Sequence, residues 1–141
     1  MKQAIFVDTD IILDVLARRE PFYQASARLF SLVERGELKA CVSSLTFANL
    51  FSILRKELSA PKAIEALKKL RKLVTVLPVD DKIVAQALDG GFTDFEDALQ
   101  YYTALSKGIP CLVTRNVKDY RKPVIAVCTA EEFLARRTSK S

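Results

Sequence analysis

The acids of this chain fall in places that could do chemistry together. Asp8-Thr9-Asp10 directly follows the apolar run Ile5-Phe6-Val7, and Asp94-Phe95-Glu96-Asp97 opens a helical pattern. Thr114-Arg115-Asn116 follows Cys111-Leu112-Val113, with Asp119 three residues beyond Asn116, and Asp80-Asp81 follows a further apolar run. Each group alone has a plain structural explanation. Asp and Thr cap helices, and acids in a first turn complement the helix dipole. Asp10 could therefore cap the helix after it, and Asp94 its own. Gathered at one place, the same groups have another use. Crowded carboxylates repel and take up protons unless a cation sits among them. Hard divalent ions such as Mg²⁺ or Mn²⁺ bind this kind of oxygen cluster. An ion so held lowers the pKa of bound water and stabilises a phosphodiester transition state.

The rest of the composition narrows the chemistry. There is no histidine, which removes imidazole general acid–base catalysis, His-activated nucleophiles and every His-containing metal site. Cys41, Cys111 and Cys128 lie in short apolar segments without metal-type spacing and read as buried structural thiols. Free thiols without a signal peptide point to a reducing cytoplasm, and no apolar run is long enough to span a bilayer. The 22 Lys and Arg outnumber the 17 Asp and Glu, a balance that suits a polyanionic partner without requiring one.

For the acids to meet, the elements must carry them to one edge. Ile5-Phe6-Val7 reads as a strand buried on both faces, with its acids at the carboxyl end. Further strands are expected at Ala40–Val42, Val74–Val79, Cys111–Thr114 and Val124–Val127. Helical periods run from Ile11 to Ala17, Phe22 to Val33 (with Gly36 as terminator), Thr46 to Leu58 and Pro61 to Leu73. Others run from Ile83 to Leu88, Asp94 to Lys107 and Ala130 to Arg137. This alternation implies an α/β fold with a parallel sheet and crossover helices on both faces, where ligands bind at the strands' carboxyl edge. One domain over 1–137, followed by a loose tail at 138–141, is expected. Asp94 and Asp97 share a helix face, continued by Gln100 and Tyr101, with Glu96 pointing away. The lysines of the Pro61 helix read as a solvated face.

At these residues the sequence resembles the PIN domain family, which includes the VapC toxin ribonucleases. The resemblance rests on Val7-Asp8-Thr9-Asp10, Val42 to Asn49, Asp94 to Gln100, Val113 to Asn116 and Lys118-Asp119-Tyr120. It implies a three-layer α/β/α sandwich around a parallel sheet of four to five strands, and Mg²⁺- or Mn²⁺-dependent cleavage of RNA. By the same resemblance Asp8, Asp97 and Asp94 are the metal-holding and catalytic acids. Thr9, Asn49, Thr114, Arg115, Asn116 and Asp119 position ligands, water or substrate, with Arg115 and the basic helix on phosphates. Partners implied are RNA and, for a toxin, an antitoxin protein; the apolar helix faces also suit a homodimer. Asn49 and Asn116 stand where many members carry acids, which lowers the fixed negative charge of the site. Two other readings stay open here. One is a PIN-fold module that binds RNA or protein without cutting. The other is an aspartate-nucleophile phosphotransferase of the haloacid dehalogenase type, built on Asp8-Thr9-Asp10.

Overall fold

A computed structural model describes residues 2–120 and 123–139. Five parallel strands form one sheet: β1 (Gln3–Val7), β2 (Leu38–Ser43), β3 (Val74–Leu77), β4 (Cys111–Val113) and β5 (Ala126–Cys128), in the order β3-β2-β1-β4-β5. The helices are α1 (Thr9–Leu16), α2 (Tyr23–Glu34), α3 (Ser44–Glu57), α4 (Ala60–Leu73), α5 (Asp81–Asp89), α6 (Phe95–Ser106) and α7 (Ala130–Ser139).

The apolar run of β1 has no solvent face because helices cover both sides of the sheet. Ile5, Phe6 and Val7 are all completely buried. Ile5 and Val7 pack with α1, α2, α3, α4 and α7, whereas Phe6, on the opposite face, packs with Tyr101 and Ala104 of α6. Ile83 and Ala87 of α5 join Ala98 and Leu99 of α6 in a further cluster. The architecture is the expected α/β/α sandwich.

Local boundaries follow from backbone chemistry. Pro78, which has no N–H to donate, stops β3 short of the expected Val79. The last strand is Ala126–Cys128 rather than Val124–Val127, because it can extend only as far as the three-residue β4 pairs with it. Ala126 N–H donates to the Pro110 carbonyl and Thr114 N–H to that of Cys128, while Val124 is exposed. Gly36 takes a positive φ of 76° after α2, the left-handed conformation in which glycine ends helices. The last helix runs to Ser139, past its expected end at Arg137; the final two residues of the expected tail, 140–141, lie outside the described residues. Among the described residues no helix is long and apolar enough to cross a membrane.

The order of the strands decides where a site can lie. From β1 the sheet grows one way through β2 and β3, and the other way through β4 and β5. The carboxyl ends of β1 and β4 therefore flank the point where the connections part, which is where open α/β sheets leave a crevice.

Candidate active site

Asp8 ends β1 at this point. It occupies the N-cap position of α1 but makes no side-chain cap bond, so capping does not explain it. Its carboxylate turns instead to the neighbouring elements. The Thr114 hydroxyl, at the end of β4, donates to Oδ2 at 2.6 Å, and the Gln100 amide of α6 donates to Oδ1 at 3.1 Å. Gln100 faces β1 with its other end as well, where Oε1 accepts from the Thr9 backbone N–H at 3.1 Å and its hydroxyl at 3.3 Å. Thr114 Oγ1 also accepts from the Asn116 N–H at 3.1 Å. Asp8, Thr9, Gln100 and Thr114 are all buried. Two segments that lie 92 and 106 residues further along the chain are thus locked around one carboxylate.

Burial, followed by the nearby Asp10 charge, raises the Asp8 carboxyl above its ordinary range, while the Thr114 and Gln100 hydrogen bonds oppose that rise. Asp97, in the first turn of α6, is pushed up to about 7. Burial is again the largest cause, followed by the charges of Asp8, Asp94, Asp119 and Asp10. The separate acids of the sequence therefore act on one another in the fold. Glu96 is exposed, and burial and then the charges of Asp94, Asp8 and Asp10 raise its carboxyl. Beneath them lies Tyr120, whose buried hydroxyl makes no hydrogen bond of good geometry among the described residues. Burial and the Asp8, Asp97 and Asp119 charges push its ionisation upward, so it stays a proton-bearing phenol against the acids. The rings of Phe92, Tyr101, Tyr102 and Tyr120 pack edge-on or tilted, centroids 5.1–6.3 Å apart, and fix the start of α6 over the sheet.

The remaining candidates divide. Asp94 is the N-cap of α6, its Oδ1 accepting from the Asp97 N–H at 3.1 Å, so one oxygen is committed to the helix. Asp80 caps α5 in the same way, through Ile83 N–H at 3.0 Å, and its place after β3 explains that acidic strand end. Asp10 is not a cap: it lies in the first turn of α1, where its Oδ2 accepts from the Asn116 amide at 3.2 Å. Asn116 thus braces an acid. Asp119, in the short 3-10 turn Val117–Asp119, is exposed and acts on Asp97 by charge. Asn49 is half-buried on α3, which leaves the same sheet edge after β2.

Arg115 departs most from expectation. Its Nε lies 3.2 Å from Asp14 Oδ2, its Nη2 lies 3.9 Å from Asp10 Oδ1, and its Cζ sits 4.3 Å over the Phe22 ring centroid. A phosphate reaching this guanidinium must compete with two carboxylates and a stacked ring. Asp14 has no solvent exposure, and its carboxyl is pushed up to about 6 because burial outweighs the attraction of Arg115. Sequence reasoning did not single out Asp14, Gln100 or Tyr120 as site residues. Gln100 had a usable signal in its position three residues after Asp97 on one helix face; Asp14 had none beyond an acid inside an apolar run.

Among the described residues no three Cys, Asp or Glu side chains form a ready-made ligand set. That does not argue against Mg²⁺ as a ligand. This ion usually keeps several waters and is held by one or two carboxylates together with substrate phosphates. Asp8 and Asp97 offer two such carboxylates, both raised first by burial and then by neighbouring carboxylate charge, which a cation would offset. Each Asp8 oxygen retains acceptor capacity beyond its one hydrogen bond. The donor set therefore fits a hard divalent cation.

A parallel sheet with acids gathered at its switch point defines an α/β hydrolytic or binding scaffold. The comparisons make this more specific. The family model described as PIN domain matches residues 4–118, and the chain belongs to the PIN domain family. Ribonuclease VapC1 of Aquifex aeolicus (strain VF5) is 27% identical over 139 residues, covering 95% of each chain. Two solved structures share the fold. The DNA-bound VapBC of Salmonella typhimurium has a TM-score of 0.68 at 18% identity and covers 92% of this chain and 99% of its own. Mycobacterium tuberculosis VapC20, described as a sarcin-ricin loop cleaving toxin, has a TM-score of 0.62 at 21% identity, covering 77% and 86%.

Proposed function

We propose that this chain is a divalent-metal-dependent endoribonuclease, the toxin of a toxin–antitoxin pair. The observation that carries the reading is the Asp8 charge acting on Asp97 beside the β1/β4 switch point, where burial first and repulsion second drive Asp97 up to about 7. Asp8 and Asp97 would hold Mg²⁺ or Mn²⁺, and a bound ion supplies an acidified water and charge stabilisation at the phosphate. The protein does the rest by positioning. Thr114 and Gln100 fix the orientation of the Asp8 carboxylate, while the Asp94 cap fixes the first turn that carries Asp97. Asn116 holds Asp10, whose negative charge raises the Asp8 carboxyl. With Arg115 engaged, phosphate affinity falls to other cations of the basic chain, and such contacts bind without sequence choice. The VapC and VapBC names of the relatives support RNA as substrate and an antitoxin as partner.

Cleavage of a mixed single-stranded RNA pool tests the reading, with Mg²⁺, with Mn²⁺ and with chelator, beside Asp8→Asn and Asp97→Asn. Metal-dependent products that vanish in both variants are expected. Products that survive both substitutions would place the chemistry elsewhere. The second reading, a module that binds RNA or protein without cutting, draws on neutral Asn49 and Asn116 and on the absence of a three-ligand group among the described residues. Folded protein that binds RNA and never cleaves it would favour that module.

A further inference from the structure

The sheet has a second chemically equipped place at its opposite edge. A cleft of about 530 Å³ opens at the amino ends of the strands, lined by Gln3, Pro110, Cys111, Ala126, Phe133 and the arginines 136 and 137. Cys111 begins β4, and Cys128 ends β5 beside it. Their sulfurs are 3.5 Å apart and hydrogen-bonded. Cys41, the third thiol, sits on β2 on the other face of the sheet, packed with Phe6 and Leu112. The two neighbouring thiols therefore form a pair to which Cys41 does not belong.

We propose that Cys111 and Cys128 form a peroxide-oxidisable dithiol site, with Cys111 as the attacking thiol and Cys128 as the resolving one. Cys111 lines the cleft, whereas Cys128 has no exposure at all. The hydrogen bond from Cys128, aided by the Arg136 charge, holds the Cys111 thiol below its ordinary range against the opposing effect of burial. Cys111 is 6% exposed where it lines the cleft, and a thiol of lowered pKa at such an opening, next to a second thiol, is the arrangement that reacts with peroxide. The Cys111 thiolate attacks one peroxide oxygen, the O–O bond breaks, and the departing hydroxide takes a proton to leave as water. Cys111 becomes a sulfenic acid. Cys128 then gives up its proton and attacks that sulfur, the S–O bond breaks, and a second water leaves. The two thiols lose two electrons and one peroxide becomes two waters.

The sulfurs must close by about 1.5 Å to bond. β5, an edge strand of three residues held on one side only, is the element free to make that move. The Cys128 carbonyl accepts the Thr114 N–H at 2.9 Å, so the movement reaches the residue that holds Asp8.

The test uses the folded full chain with hydrogen peroxide, followed by unfolding, thiol titration and non-reducing peptide mapping. Titratable thiols should fall from the chain's three cysteines to Cys41 alone, with the Cys111 and Cys128 peptides joined and dithiothreitol restoring all three. Cys128→Ser should stop at a Cys111 sulfenic acid that dimedone traps, and Cys41→Ser should leave the cross-link intact. Unchanged thiols, a link involving Cys41, or sulfenic acid accumulating in the unsubstituted protein would each overturn the proposal. The mapping of the unsubstituted chain stands even where a variant does not fold, and it is independent of ribonuclease activity.

Discussion

Asp97 shows what the site costs the fold when no cation is present. Its carboxyl is raised from 3.8 to about 7, so the folded chain binds its proton more tightly than the unfolded chain does. The stability this contributes is complete below pH 3.8 and is lost as pH rises through about 7. Asp97→Asn should therefore stabilise the metal-free protein at pH 8, by about 2 kcal/mol after allowance for solvent screening, and leave it unchanged at pH 3. Chemical denaturation at the two pH values checks both. Gln100 carries the opposite expectation. Gln100→Ala removes the donor to Asp8 and the acceptor for Thr9 and leaves buried groups unpaired, so it should cost about 2 kcal/mol. It should also lower kcat more than KM, because the orientation of Asp8 is what it changes. Asp14 is legible only in the fold. In the sequence it is a polar interruption of Ile11 to Ala17; in the structure it anchors Arg115, whose partner lies about a hundred residues away.

At the scale of elements, α6 joins capping to chemistry. Asp94 caps the helix and Asp97 rides in its first turn, so the capping reading of Asp94-Phe95-Glu96-Asp97 holds for Asp94 and leaves Asp97 for the proposed cation. Asp94→Ser keeps a capping oxygen and removes a charge. It should leave the melting temperature of the metal-free protein unchanged or raised and lower the Asp97 pKa, whereas Asp94→Ala should lose about 1 kcal/mol. A thermal melt with a carboxyl titration separates the two roles. The boundaries that sequence reading set correctly had a local cause. Gly36 ends α2, and Pro61 sits in the first turn of α4 behind the Ser59 cap. Of the boundaries it missed, the end of β3 had a local cause in Pro78, whereas β5 is placed by its pairing with β4, which no local period of apolar residues encodes.

At the scale of the whole molecule, the alternation of elements made the α/β/α sandwich and the parallel sheet readable. The resemblance to the PIN family pointed to Asp8, Asp94 and Asp97, and in the fold the charges of Asp8 and Asp94 act on Asp97. What the chain alone could not display was the hydrogen bonding between segments. Thr114 reaches Asp8 only after three crossovers of the sheet, with Gln100 carried on the third, and Arg115 turns inward to Asp14. The same global placement predicts linkage between cation and stability. A cation that binds only the folded chain stabilises it by mass action, by about 2.7 kcal/mol at one hundred times its Kd. Mg²⁺ should therefore raise the melting temperature of the native chain at pH 8 and leave that of Asp8→Asn/Asp97→Asn unmoved.

The account stands most directly on one titration. Carbon-detected NMR of the labelled aspartate carboxyls, from pH 3 to pH 9 without and with Mg²⁺, follows Asp97 itself. The metal-free chain should show Asp97 titrating near 7, and Mg²⁺ should move that midpoint down by more than a unit, because a cation favours the charged form. An Asp97 midpoint already in the ordinary carboxylate range, or one that Mg²⁺ leaves in place, would contradict a cation site built from Asp8 and Asp97.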